Sequence, residues 1–310
     1  MTPRKFTLHD FLRDFYTTAQ CLEYLARLRW PGGVLCRKCK RVKRHYLRVE
    51  QHAYSCTTCG TLRTPTEGTI FYRSNVKLQD WFWVVFQFAK TRTGITAKQI
   101  ERELGLSYKT ALRMCNKVRS ALDEQRHLSG TVELDETYMG NSARYARGKR
   151  KRGRGTMKAP VFGVVERGGA VVAKVVPDTK RDTVMPIVRE TVERYSEVFT
   201  DEYAVYNTLD EEGYLHDTVK HGVGEYVKYR KEIKDDGTYE TTEVHTNTME
   251  GFWSYPKIAT KGIHRGVSDH KLQGYVNEYT FRHSHRNDDE PMFFTMLRQI
   301  VPSEPLPFAA

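Results

Sequence analysis

The 310-residue sequence predicts an α/β fold assembled in series: a cysteine-stapled ribbon, a helical segment, and a C-terminal domain of strands and helices. Three observations carry this reading. Cys36-Arg37-Lys38-Cys39 and Cys56-Thr57-Thr58-Cys59 are two Cys-x-x-Cys pairs separated by 16 residues. Apolar residues recur at helical spacing between 73 and 130. From 131 onward, apolar and alternating runs come in the order β-β-β-α-β…β-α. The divisions that follow are a helical brace over 1–30, the ribbon over 31–72, a helix-turn-helix domain over 73–130 and an α/β domain over 131–310.

Each Cys-x-x-Cys can turn both thiolates toward one point, and two such knuckles complete a tetrahedral sulfur cage for a structural zinc ion. Cys36, Cys39, Cys56 and Cys59 are the expected ligands, with Gly60 suited to the sharp turn after the second pair. Two short strands, Tyr46–Val49 and His52–Ser55, lie between the pairs. A ribbon this small cannot bury a core, so metal binding supplies its folding energy. Cys21 and Cys115 sit in helical patterns and read as buried apolar thiols.

Before the ribbon, Leu8, Phe11, Leu12, Phe15, Cys21, Leu22, Leu25 and Leu28 fall at helical spacing. After it, Leu78–Ala89 is an apolar helix whose aromatic stripe reads as core. Two short helices follow, with Thr96 and Ser107 as N-caps and Gly105 ending the first. The second offers Tyr108, Lys109, Thr110, Arg113, Asn116, Lys117 and Arg119. The pair reads as a helix-turn-helix that sets these residues in a major groove, or as an ordinary helical hairpin with a solvated basic face.

In the C-terminal domain the expected strands are Thr131–Tyr138, Pro160–Glu166, Ala170–Val176, Val198–Asp201 and Tyr214–Val219. The expected helices are Asp182–Tyr195, Asn247–Ile258 and Asp269–His283. Residues 225–244 read as an inserted hairpin around Asp235-Asp236-Gly237, either a groove lining or a dimer contact. This order fits a ribonuclease-H-like sheet, though other mixed α/β folds share it. Asp135 on the first strand, Asp201 at the end of the fourth and Glu250 on a helix are three carboxylates that such a sheet can converge. Three convergent acids can hold two divalent cations for phosphoryl transfer, and hard oxygen donors select Mg²⁺ or Mn²⁺. Lys257, two turns past Glu250, falls on the same helix face and suits a DNA phosphate. Pro256 before it predicts a kink. Trp253 suits either an unpaired base or the core.

The chain resembles bacterial insertion-sequence transposases of the DDE type, in the zinc-ribbon-bearing subgroup related to the Merlin transposons. The matching stretches are Cys36–Cys59, Gly68–Phe71, Val132–Tyr138, Thr200–Tyr203, His245–Ser254, Gly262–Ser268 and Tyr279–Arg282. The resemblance implies a ribonuclease-H-like catalytic domain that cleaves DNA at transposon ends and joins them to a target. It maps the first two acids to Asp135 and Asp201. It leaves the third between Asn247 and Glu250, and Glu250 is preferred because a carboxylate binds a divalent cation more strongly than an amide does.

Charge sorts the same way. Residues 1–130 carry 24 basic and 10 acidic side chains, and 131–310 carry 26 and 28, so the whole net charge of +12 comes from the front of the chain. That is the footprint of phosphate-binding modules. Within the back half, Arg144, Arg147, Lys149, Arg150, Lys151, Arg152, Arg154 and Lys158 form an acid-free run with three glycines. It reads as a loop that grips DNA beside the acids, or as a solvated or localisation patch. The expected partners are double-stranded DNA, both element ends and target, and a second or further copy of the chain on DNA. No apolar run is long enough to span a bilayer, which predicts a cytoplasmic, nucleoid-associated protein. A DNA-binding regulator with an inactive second domain and a plain metal-dependent nuclease are the alternatives.

Overall fold

In the computed structural model, which describes residues 5–140, 158–233 and 238–304, the chain divides at Leu122 and again at Arg286. The first unit runs to Leu122 and takes in the residues from Asn287 onward; the second is Asp123–Arg286.

The first unit opens with α1 (Leu8–Asp14) and α2 (Thr18–Arg29), each started by a reciprocal cap: Thr7 with Asp10, and Thr17 with Gln20. Phe11, Phe15, Cys21, Leu22 and Leu25 are buried as their spacing requires, whereas Leu8 and Leu12 are exposed. The ribbon is a three-stranded antiparallel sheet of β1 (His45–Arg48), β2 (Ala53–Cys56) and β3 (Leu62–Arg63). The third strand is two residues long, too short to show alternation in the sequence. Helix α3 (Leu78–Lys90) buries Trp81, Phe82, Phe86 and Phe88. Then come α4 (Ala97–Leu104) and α5 (Tyr108–Ala121), capped by Thr96 and Ser107, with Gly105 at φ +64° between them.

The C-terminal helix Met292–Ile300 departs from the expected domain limits. Its Phe293 ring stacks on Phe6 at 5.2 Å and meets Phe11, Phe15, Phe82 and Phe86 edge-on, which places it in the aromatic core of the first unit. Glu304 beyond it pairs with the buried Arg29 and Arg63 and accepts the Trp30 indole N–H. The α/β domain therefore ends near Arg286. A run of apolar residues at helical spacing shows that a helix is amphipathic, but not which core it joins.

The second unit is built on β4 (Thr131–Met139), β5 (Ala159–Glu166), β6 (Val171–Val175), β7 (Glu197–Asp201) and β8 (Leu215–Val219), with α6 (Arg181–Thr191) between β6 and β7. The strand order is β6-β5-β4-β7-β8: β4, β5 and β6 pair antiparallel, while β7 and β8 join parallel. This mixed sheet is consistent with a ribonuclease-H-like domain. Strands β9 (Lys228–Ile233) and β10 (Tyr239–Val244) form a separate antiparallel pair where the inserted hairpin was expected. Helices α7 (Asn247–Ile258) and α8 (Asp269–Ser284) follow.

Both sheet faces are covered. Val132, Leu134, Phe162, Val164 and Val198 pack with Val184, Met185 and Val188 of α6. Met139, Val161, Val165 and Val171 pack on the other side with Met249, Phe252 and Trp253 of α7 and Leu272, Val276 and Tyr279 of α8. Helix α8 also satisfies the outer edge of β6. Gln273 accepts from Val175 N and donates to Ala173 O, while Ser284 Oγ accepts from Val171 N. An edge strand so occupied cannot template pairing with another chain.

Four histidines, His264, His270, His283 and His285, divide on this frame. His270 is exposed, but His285 lies 2.9 Å from Glu124 and 2.7 Å from Arg126, and His264 packs edge-on to Tyr275. His283 packs edge-on to Phe252, and burial lowers its pKa from 6.5 to about 4. Because the unfolded chain takes up this proton first, the stability owed to neutral His283 is complete above pH 6.5 and drains away as pH falls toward 4. Urea midpoints measured across that window should fall less for His283→Phe than for the wild type. Gly163 on β5 supplies a second test. A Cβ there would stand inside contact distance of Met249 Cε and 2.7 Å from Trp253 Cζ2. Gly163→Ala should cost about 1–3 kcal/mol in urea unfolding, the range for overpacking a core.

Candidate active site and metal centre

The two cysteine pairs fold alike. Cys36 N donates to Arg41 O and Lys40 N to Cys36 O; Cys56 N donates to Thr61 O and Gly60 N to Cys56 O. The residue after each pair is left-handed, Lys40 at φ +54° and Gly60 at φ +72°. Glycine reaches that region without strain, and lysine does so against it. The four thiols lie within 4.8 Å of one another, with Cys36 Sγ 3.4 Å from Cys59 Sγ. Zinc–sulfur bonds of about 2.3 Å require sulfurs roughly 3.8 Å apart, so the cage fits a zinc ion with little adjustment. Thr61 at 3.2 Å and its backbone N–H pull Cys59 down to about 6, toward the thiolate a metal needs. Cys21 and Cys115 stand apart, both buried.

The second unit gathers the acids. Strand β4 pairs with β7 through Thr131–Glu197, Val132–Val198 and Glu133–Phe199, a register that two further residues bring to Asp135 and Asp201. Asp135 faces α7, where the Trp253 indole N–H donates to its Oδ2 at 3.0 Å. Asp201 Oδ1 accepts from Tyr203 N at 3.0 Å. Glu250 stands in the first turn of α7, half exposed, with its Oε1 3.8 Å from His221 Nδ1. Burial lifts the Asp135 pKa to about 7, and Glu136, Asp201 and Glu250 add to the rise. Asp135 is thus within electrostatic reach of both Asp201 and Glu250, yet the three carboxylates do not gather within 4.8 Å as the cysteines do.

Asn247 is exposed at the start of α7, its N–H donating to His245 Nδ1 at 3.3 Å. The helix continues through Pro256 and then widens into a π turn over Ala259–Ile263, so its regular hydrogen bonding ends after Lys257 and not before it. Desolvation lowers the Lys257 pKa against the pull of Asp135 and Glu250, with Lys158 adding to the fall. Trp253 is core, 1% exposed, so its base-contact reading is set aside in favour of the Asp135 bond. Sequence reasoning missed Gly163, which pairs with Asp135 and leaves room for Trp253, and Glu133, buried two residues before Asp135 against the first turn of α7. A glycine inside an apolar strand is the one signal for the first. Glu133 gives none.

On α5, Tyr108, Lys109, Arg113 and Lys117 are exposed, and Thr110 and Asn116 are partly so. Arg119 is not available to a groove: it is buried, donates to Ile95 O at 2.9 Å and lies over the Phe88 ring. Of the basic run, Lys158 is described; Arg144, Arg147, Lys149, Arg150, Lys151, Arg152 and Arg154 lie outside the described residues. Among the described residues no helix is long and apolar enough to cross a membrane.

A four-cysteine ribbon joined to a mixed-sheet domain with acids at its centre is a zinc-ribbon protein whose α/β domain is consistent with the ribonuclease-H-like class. Residues 127–284 match the model of the ISXO2-like transposase domain, and residues 17–61 match the transposase zinc-ribbon domain. The chain belongs to the ISXO2-like transposase family. It is also similar to an uncharacterized protein in transposable element ISH50 of Halobacterium salinarum, 31% identical over 293 residues that cover 87% of this chain and 92% of that one. The ribbon match begins at Thr17, the N-cap of α2, so the whole of that helix falls within the matched segment.

The cysteine cage makes one test direct. Purified protein should hold about one zinc per chain after mild dialysis, by elemental analysis, and Cys56→Ser should lose it together with the ribbon's thermal transition. Less than about half an equivalent in folded protein would count against a structural site.

Proposed function

We propose that the chain is the transposase of its element. Residues 1–130 bind the terminal inverted repeats, and the second unit cuts DNA at the ends and joins them to target DNA with Mg²⁺ or Mn²⁺. The observation that carries this reading is the setting of Asp135. A buried carboxylate whose pKa is raised to about 7 by burial and by neighbouring acids is a poor solitary anion and a good cation ligand. Asp135, Asp201 and Glu250 offer the hard oxygens that two such ions take. Bound there, the ions would supply the activated oxygen nucleophile and charge stabilisation of an in-line phosphoryl transfer.

The chain's own residues do the remaining work. Trp253 fixes the Asp135 carboxylate through its indole N–H. Lys257, near both Asp135 and Glu250, holds a DNA phosphate against the site. Lys158 reaches the same region, which supports a role for the basic run from Arg144 to Lys158 in gripping the strand being cut. The exposed Tyr108, Lys109, Arg113 and Lys117, with Thr110 and Asn116, fit a helix read into the major groove. The ribbon's Lys38, Lys40 and Arg41 add phosphate contacts that carry no sequence information. Two ends must be cut together, so the working form is a dimer or larger assembly on DNA.

The test is an incubation of protein with end-bearing DNA, target plasmid and Mg²⁺. Wild type should give nicked ends and joined products. Asp135→Ala, Asp201→Ala and Glu250→Ala should each lose at least about 100-fold in cleavage while still binding DNA. Binding with no cleavage overturns the enzyme reading, and cleavage without joining reduces it to a nuclease. If Asn247→Ala abolishes the reaction and Glu250→Ala does not, the third ligand is Asn247.

A further inference from the structure

Glu133 has no exposed surface, yet it lies two residues before Asp135 on the same face of β4. Its carboxylate is fully used. Oε1 accepts from Arg167 Nε at 2.7 Å and from Thr248 Oγ1 at 2.8 Å, and Oε2 accepts from Met249 N at 3.0 Å. His245 Nδ1 lies 3.1 Å from Oε1. Helix α7 has no side-chain cap from its own Thr246. Glu133, reaching across from the sheet, accepts one of the N–H groups that a helix start leaves open. Arg167 then donates to Glu243 O at 2.6 Å and His245 O at 3.0 Å and lies 4.7 Å over the Phe199 ring. One buried ion pair thereby ties β4, the end of β10, and the first turn of α7.

We propose that Glu133, held by Arg167, is the positioning residue of the nuclease site: it sets the start of α7, and with it Glu250, relative to Asp135. The inference rests on the reading of Asp135, Asp201 and Glu250 as the acids of DNA cleavage. A buried carboxylate stripped of its partners is costly, so Glu133 is held to the one geometry in which Arg167, Thr248 and Met249 all reach it.

The test compares wild type with Glu133→Gln, which keeps shape and loses charge. Thr248→Val is the milder variant, removing one donor without touching the sheet. Single-turnover cleavage of end DNA should fall at least about 30-fold for Glu133→Gln and a few-fold for Thr248→Val, with the DNA dissociation constant unchanged within about two-fold. Hydrogen exchange at the Thr248 and Met249 amides should speed up at least ten-fold in Glu133→Gln while the β5 and β6 amides keep their protection. Wild-type cleavage in a folded Glu133→Gln, or unchanged exchange at Met249, overturns the proposal. If Glu133→Gln does not fold, Thr248→Val decides: unchanged cleavage and exchange overturn it. Should the wild type itself fail to cut DNA, the three-acid reading is what falls, and the exchange measurement still decides whether Glu133 sets α7.

Discussion

The second unit depends on how closely α7 lies on the sheet. Gly163 stands beside Asp135 in the β4–β5 register, and with no side chain there Met249 and Trp253 reach the strand surface. That approach lets a buried indole meet a buried carboxylate at 3.0 Å. It also brings Glu250, three residues before Trp253, within electrostatic reach of Asp135. A larger residue at 163 would lift the helix and lengthen each of these contacts together. The absence of one methyl group is therefore a constraint on the whole site, and it acts through packing density rather than through any polar group.

Electrostatics runs against this packing. Bringing carboxylates together in a half-buried place costs free energy, which is visible in the raised pKa of Asp135. Lys257 offsets part of that cost, and the fall in its own pKa shows how far desolvation outweighs the attraction. The balance of the chain agrees: the net charge of +12 comes from the front, while the α/β domain is close to neutral only because of its basic run. A domain of this kind binds a polyanion poorly without cations at its centre. The same repulsion that weakens the fold there is what a bound cation, as proposed for this site, would relieve.

What the sequence disclosed is what local spacing encodes. The cysteine knuckles, the caps at Thr96 and Ser107, and the extent of α7 depend on neighbours within a few residues, and all stand in the structure. The alternation of Val132-Glu133-Leu134-Asp135 marked a strand, but it implied a watered face for Glu133 and Asp135. In fact α7 covers that face, so the polar residues there are buried and satisfied by one another's elements. Arg119 and the C-terminal helix fail for a related reason. A charged or amphipathic residue reports its own chemistry, whereas its partner, Ile95 O or the Phe6 ring, is fixed by tertiary packing. Leu8 and Leu12, apolar and exposed, are the converse.

The two ends of α7 are made differently, and the difference fits the roles assigned to them. At the acid end, Met249 N and the Thr248 hydroxyl are locked to a carboxylate on the central strand that has no exposed surface. At the lysine end, Pro256 cannot donate to Phe252 O, and the backbone passes into a π turn closed by His264 N to Ala259 O at 2.9 Å. Thr260 Oγ1 returns one bond to Pro256 O, but Tyr255 and Ile258 remain exposed. On the proposed reading of Glu250 as a cation ligand, which tolerates displacements of only a few tenths of an ångström, rigidity belongs at this end. A phosphate contact follows the path of the bound strand, and a long side chain on the less constrained end of the helix can follow with it.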